Sequence, residues 1–199
     1  MLKYCSIGSG SSGNCHVVSY KDTGILIDAG LAGKRITSGI EQADFDIDKI
    51  YTTTSSRTKD TVKKLSELKS IEIIEKESLK EISFGDFEGL TFDEIKDKYP
   101  KEFQDMIEKG YEYKYPNGES LIDSYNRVCI ELDNIISNND DRTILICSHG
   151  GTIRNIITYL ISNSYKYHWN FKIDNGSVTI LEVQDGFTVI TAMNNTSFI

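Results

Sequence analysis

Apolar residues along this chain switch repeatedly between two spacings, and each switch marks an element. Ile144-Leu145-Ile146 is an unbroken aliphatic run, as a strand buried on both faces requires. Beyond Ser148-His149-Gly150-Gly151, apolar positions recur at Ile153, Ile156, Ile157 and Leu160, one face of a helix. A strand that ends in a histidine and reopens as a helix brings an imidazole and unpaired backbone N–H groups to the carboxyl edge of a sheet, where an anion can sit. The plainer reading is a histidine that only caps the helix.

The same alternation runs through the rest of the chain. Hydroxyls over Thr52 to Ser56 offer N-caps to a helix that turns Val62, Leu65 and Leu68 inward. Ile71 to Ile74 reads as a short strand, and Leu79 to Ile82 leads into Phe84-Gly85-Asp86-Phe87-Glu88-Gly89-Leu90. Thr91-Phe92-Asp93-Glu94 is a capping box for a helix that ends before Pro100. A second short helix, Lys101 to Lys109, stops at Gly110, and Tyr111 to Tyr115 is a polar, tyrosine-rich connection. Pro116 to Ser120 opens a long helix with Ile122, Tyr125, Cys129, Leu132 and Ile136 on its inner face. The chain closes on a hairpin, Val178 to Val183 and Phe187 to Met193, turning at Asp185-Gly186.

Before Ile50 the pattern is of short strands, Leu2 to Ile7, Cys15 to Tyr20 and Gly24 to Asp28, with Gly8 to Asn14 as a flexible glycine–serine loop. That loop lacks the G-x-G-x-x-G order and the Lys-Ser/Thr ending of a phosphate-cradling loop, so it reads as a plain loop. Alternating strands and helices predict an α/β fold, a largely parallel sheet with helices on both faces and an antiparallel hairpin at its edge. The expectation is one domain over residues 1–199 with an atypical N-terminal segment, 1–50.

Charge and cysteine usage narrow the partners. A formal net charge of −8 argues against nucleic acid or an anionic membrane, so any anionic substrate depends on a few local cations. No apolar run approaches a membrane span, and the N-terminus does not read as a signal peptide. The cysteines Cys5, Cys15, Cys129 and Cys147 are scattered without a C-x-x-C pair, which suits a reducing cytoplasm.

Two resemblances follow from motifs. G-S-G-S-S-G-N and I-L-I-D-A-G-L-A-G-K-R-I resemble the opening of WalJ-like metallo-β-lactamase-fold hydrolases. Where that family carries H-x-H-x-D-H, this chain reads Tyr51-Thr52-Thr53-Thr54-Ser55-Ser56-Arg57, and its three histidines, His16, His149 and His168, are too dispersed for a two-metal site. From Ile50 onward, I-Y-T-T-T-S-S-R-T-K-D-T, L-K-E-I-S-F-G-D-F-E-G, P-N-G-E-S with Arg127, and C-S-H-G-G-T-I-R resemble, in this order, the histidine phosphatase superfamily of phosphoglycerate-mutase-like proteins. The small phosphatases of that group, α-ribazole phosphatases among them, are nearest in style. The resemblance implies a three-layer sandwich, a phosphohistidine mechanism on a small phosphomonoester, and neither metal nor cofactor. Dimers are common in the family, so a homodimer is consistent with it.

The resemblance also implies roles. His149 matches the second, non-nucleophilic histidine that hydrogen-bonds the phosphoryl group. Arg57 matches the arginine that clamps it, Glu81 the acid/base carboxylate, and Gly150 a backbone N–H donor to phosphate. Glu119 and Arg127 are expected as a supporting ion pair on one long helix. Lysines and tyrosines between Lys96 and Lys114 fall where the family builds its substrate lid; they fit either an anionic, ring-bearing substrate or a solvated helical face. One departure stands out: the family begins with a strand ending in R-H-G, which supplies the nucleophilic histidine, and no Arg-His-Gly occurs here. If Leu2 to Ile7 takes that strand's place, Ser9 falls where the nucleophile belongs. Turnover is therefore expected to be impaired. The alternative is an inactive phospho-ligand-binding or regulatory module, and a metal-dependent hydrolase is the third reading.

Overall fold

The computed structural model describes residues 3–10, 13–20, 23–27, 47–139, 142, 144–173, 178–184 and 187–195. At the N-terminus β1 (Lys3–Gly10), β2 (Gly13–Tyr20) and β3 (Thr23–Ile27) form an antiparallel meander in that order. Of the glycine–serine run expected as a flexible loop, the described residues are part of the ladder: Ser9 lies opposite Asn14 and Gly10 opposite Gly13, with a bulge between Ser6 and Gly8. Ladder bonds come from backbone groups alone, so residues with little side chain can sustain them. The first strand thus belongs to this meander. It does not take a central place in the parallel sheet, which corrects the expectation for Leu2 to Ile7.

The parallel sheet consists of β4 (Lys49–Thr52), β5 (Ile73–Glu75) and β6 (Ile144–Cys147), in the order β5-β4-β6. Ile50 pairs with Leu145 and Thr52 with Cys147, so alternate residues share a face. Around it stand α1 (Ser56–Lys69), α2 (Phe92–Lys98), α3 (Pro100–Lys109), α4 (Leu121–Ser137) and α5 (Gly150–Ser162). Tyr51, Ile144 and Ile146 pack with Val128, Leu132 and Ile135 of α4 and Ile153, Ile156 and Ile157 of α5. The other face carries Ile50, Leu145 and Cys147 toward α1, whose Thr58 carbonyl accepts from Cys147 Sγ at 3.3 Å. This is the three-layer α/β arrangement, and both faces of the aliphatic strands are buried as their composition requires. Each fully buried isoleucine or leucine contributes roughly 1.5–3 kcal/mol. A separate hairpin, β7 (Val178–Gln184) and β8 (Phe187–Asn195), pairs Gln184 with Phe187. The expected Asp185-Gly186 turn lies outside the described residues. β3 runs beside β6, and β2 beside β7.

Two inward-facing assignments need correction. Leu68 is 57% and Ile136 41% exposed. At about 1.5 Å per residue, α1 outruns a four-residue strand of about 13 Å, and its last turn projects past the sheet. On α4 the expected Tyr125, Cys129 and Leu132 are buried, joined by Leu121, Val128 and Ile135, and Ile136 falls one step round from that stripe. No described helix is long and apolar enough to cross a membrane.

Helices α2 and α3 build a small core of their own from Phe87, Ile95, Met106 and Tyr113. Tyr113 is thus packed, not part of a polar connection. Thr91 and Glu94 form the expected capping box. The Phe84–Gly89 and Pro116–Ser120 motifs interlock: Asp86 N donates to the Pro116 carbonyl at 2.9 Å and Glu119 N to the Ser83 carbonyl at 3.0 Å. Gly85 sits at φ +54°, where a Cβ would lie 2.0 Å from the Pro116 oxygen, so no other residue fits this crossing.

Candidate active site

Parallel pairing of β4 with β6 sets their carboxyl ends side by side, and the residues that follow each strand converge there. Thr53 follows β4, Arg57 lies in the first turn of α1, and His149 joins β6 to α5. An Nη2 of Arg57 donates to His149 Nδ1. The other ring nitrogen, Nε2, is 3.1 Å from Thr53 Oγ1, which is 2.8 Å from Thr58 Oγ1; Thr58 in turn donates to the Ser55 carbonyl at 2.9 Å. A guanidinium only donates, so Nδ1 accepts and the imidazole proton sits on Nε2. Proton donation then runs one way, from His149 through Thr53 and Thr58 to the Ser55 carbonyl. Burial pushes the His149 pKa down to about 4, assisted by the charges of Arg57 and then Arg127. A neutral ring is what this network needs.

Glu81 reaches the same place from the other side. Its carboxylate accepts from the N–H groups of Gly151 and Thr152, both at 3.2 Å, and from Ile82 N at 3.1 Å. It therefore occupies two of the orphan donors of the first turn of α5, where a negative charge is favoured. The Gly150 N–H has no acceptor among the described residues. The segment bearing Glu81 is pinned along its length: Ser148 Oγ donates to the Leu79 carbonyl at 2.6 Å and Thr152 Oγ1 to the Lys80 carbonyl at 2.8 Å. Arg127 adds bonds to the carbonyls of Ser78 at 2.7 Å and Lys80 at 3.1 Å. Its guanidinium also grips Glu119 through two bonds, 2.6 and 3.2 Å long, while Glu119 Oε1 accepts from Ser83 N at 3.1 Å. Glu119 stands just ahead of α4, not on it, which corrects the one-helix expectation.

Gly151 is tied to this geometry, because a Cβ there would meet Glu81 Oε1 at 2.5 Å, whereas a Cβ on Gly150 would meet nothing. Alanine at either position favours the helix by up to about 1 kcal/mol. At Gly151 it also displaces the carboxylate from its donors, at a cost of about 1.5–3 kcal/mol for hydrogen bonds to a charged group. Gly151→Ala is therefore expected to be less stable than Gly150→Ala by about 2 kcal/mol, as read by chemical denaturation; equal stabilities would mean Glu81 is not seated there.

Beside Glu81 and Gly151 opens a cavity of about 430 Å³, roofed by Phe92 of α2 and by Met106 and Ile107 of α3. Tyr111 and Tyr115 line it, but none of the lid lysines does. Lys109 is paired with Asp105 at 2.9 Å, and Lys114 approaches Asp123 at 3.9 Å.

The structure gathers Arg57, His149, Glu81 and Gly150 around the start of α5. Ser9 lies on β1 opposite Asn14, and His16 on the middle strand between Ser6 and Ile27. Both belong to the meander. Sequence reasoning passed over Thr53, Ser148 and Thr152, hydroxyl residues that flank the motifs and are buried. Hydroxyls adjoining a charged motif at a strand end were the available signal. Thr52 to Ser56 were read only as helix caps, yet Ser55 makes no side-chain cap.

Comparison with known proteins gives a consistent picture. The family model described as histidine phosphatase superfamily (branch 1) matches residues 35–196. The match begins well before Ile50, in the stretch whose opening resembled WalJ-like hydrolases. Phosphoserine phosphatase 1 of Hydrogenobacter thermophilus is 29% identical over 150 residues, 75% of this chain and 71% of that protein. Among solved structures, YhfR of Bacillus stearothermophilus superposes with a TM-score of 0.66 at 29% identity, covering 83% of this chain and 80% of its own. The α-ribazole phosphatase of Shigella flexneri gives a TM-score of 0.67 at 20% identity, covering 77% and 76%, and shares the fold.

Proposed function

Since this chain belongs to the histidine phosphatase superfamily, branch 1, we propose that it binds the phosphoryl group of a small phosphomonoester between Arg57, His149 and the opening turn of α5, and that its turnover is impaired. The observation that carries the reading is the direct contact of Arg57 with His149, 92 residues apart, at the carboxyl ends of two paired strands. A planar guanidinium matches phosphate oxygens in pairs, and the Gly150 N–H adds a donor from the positive end of a helix. An arriving dianion draws the donors of Arg57 to itself. Its charge also raises the His149 pKa from its depressed value, so the ring takes up a proton and donates in turn. Glu81, on the cavity wall, is placed to protonate the departing alkoxide.

In an intact site of this type a histidine attacks phosphorus, the ester P–O bond breaks, and water then releases phosphate from the phosphohistidine. The Arg-His-Gly motif that supplies this nucleophile is absent from the sequence. Loss of a covalent nucleophile costs several orders of magnitude in rate. The second reading, a binding or regulatory module that does no chemistry, is favoured by the same missing motif, since Arg57 and His149 remain in contact without it. Cys129 and Cys147 are both buried, and thiols kept inside a core suit a cytoplasmic setting.

The test is hydrolysis of an aryl phosphate, with and without a chelator, beside His149→Ala. The expected result is residual turnover far below the usual range of roughly 1–10³ s⁻¹, unaffected by the chelator. Turnover within that range would contradict the reading, and turnover abolished by the chelator would point to a metal-dependent hydrolase.

A further inference from the structure

The cavity beside Glu81 is walled by carbon. Phe84, Phe92, Tyr115, Met106, Leu121 and Trp169 are among the residues that line it. Phe84 and Tyr115 meet edge to face at 5.0 Å, and Tyr113 at 5.1 Å and Phe87 at 5.8 Å brace the Tyr115 ring, so the aromatic wall is fixed in place for a flat guest. Phe92 is 68% and Trp169 61% exposed, so large apolar side chains surround the mouth in contact with solvent, as at a ligand-binding groove.

Among the described residues, Arg154 is the one charged cation that lines this space. Arg154 stands one turn after Gly151 on α5, so the two share a face about 4.5 Å apart along the axis. Its Nε donates to the Phe171 carbonyl at 3.0 Å, and its guanidinium lies 5.5 Å from the Trp169 ring centre. Among the described residues no carboxylate pairs with it. The other basic side chain on the wall, His168, is committed otherwise: Asn155 donates its amide to Ser124 Oγ at 3.2 Å, so its oxygen accepts from His168 Nδ1 at 2.8 Å. That fixes a proton on Nδ1, and burial, followed by the Arg154 charge, pushes the ring's pKa down to about 4 and so keeps it neutral.

Resting on the phosphomonoester reading above, we propose that the leaving group is an aromatic alcohol carrying an anionic substituent, its ring held among Phe84, Tyr115 and Trp169 and its anion by the free edge of Arg154. A serine leaving group fills little of about 430 Å³ and leaves most of this apolar wall uncovered.

Trp169 is the single tryptophan of the chain, so its fluorescence reports occupancy of the cavity without interference. The experiment titrates the whole protein with phenyl phosphate, 4-carboxyphenyl phosphate, phosphoserine, inorganic phosphate and 4-hydroxybenzoate. Phenyl phosphate is expected to bind at least about tenfold more tightly than phosphoserine, and 4-carboxyphenyl phosphate severalfold more tightly again. In Arg154→Gln the advantage of the carboxylate is expected to vanish, the two aryl phosphates becoming equal. Phosphoserine matching phenyl phosphate, or a carboxylate that confers no gain on the wild-type protein, would overturn the proposal, and the wild-type series decides even if the variant fails to fold. Two arms separate it from the reading on which it rests. Binding of 4-hydroxybenzoate without binding of inorganic phosphate would refute the phosphoryl site and support the cavity assignment. Inorganic phosphate bound as tightly as any aryl phosphate would do the reverse.

Discussion

Stability is expected to fall steeply as the pH drops from about 6.5 to 4, with a transition set by two buried histidines. His149 and His168 are each pushed down to about 4, in both cases chiefly by burial; Arg57 and Arg127 add to the effect at the first, Arg154 at the second. In the unfolded chain both return to about 6.5. Between those values the unfolded state holds more protons than the native one, so the free energy of unfolding decreases as pH falls, is level above about 6.5, and levels off again below about 4. Each histidine contributes about 3 kcal/mol across this window, which together is a large share of a typical domain's stability of about 5–15 kcal/mol. Thermal unfolding at pH 7.5, 5.5 and 4.5 checks this, with His168→Gln beside it. The variant retains an amide donor for Asn155 and should lose about half of the pH dependence. A midpoint unchanged down to pH 4.5 would show that neither ring is held neutral by the fold.

Arg127→Met is expected to destabilise the protein by about 3–5 kcal/mol, the cost of leaving one partner of a largely buried ion pair uncompensated. Arg127 and Glu119 have side chains only 19% and 17% exposed. Removing the guanidinium strands Glu119 and takes donors from the Ser78 and Lys80 carbonyls. The function of the pair is thus to hold the Glu81 segment against α5. A double variant with Glu119→Gln should cost clearly less than the sum of the single changes, since the stranded charge is then gone. A loss below about 1 kcal/mol for Arg127→Met would place the pair among surface ion pairs of little consequence.

Much of this arrangement was legible in the sequence because local signals agreed with one another. The aliphatic run at Ile144 to Ile146 and the helical spacing after Gly151 specify their elements from side-chain pattern alone. The Thr91–Glu94 box announces a helix start through the chemistry of its own hydrogen bonds. The N-terminal glycine–serine run was not legible, because side chains that favour loops say nothing about whether backbone groups find partners across a ladder. Leu68 and Ile136 differ for geometric reasons: periodicity does not report where along a helix the neighbouring layer ends, as at Leu68, and it does not separate adjacent positions at the margin of a stripe, as at Ile135 and Ile136. Within the candidate site, charged residues carry strong motif signals, whereas Thr53, Ser148 and Thr152 act through hydroxyls whose partners lie far away in sequence. Arg154 belongs to the same motif as His149, yet the cavity it lines is built by residues from the lid, which no single motif contains.

The most direct measurement of the central claim is the affinity for inorganic phosphate, which requires no turnover. Isothermal titration of the wild-type protein, Arg57→Ala and His149→Ala would give it. The account predicts binding by the wild type and a loss of about ten- to a hundredfold in Arg57→Ala, as expected for charge-assisted hydrogen bonds, with a smaller loss in His149→Ala. Equal affinities in all three proteins, or no binding by the wild type, would contradict a phosphoryl site at the carboxyl ends of β4 and β6.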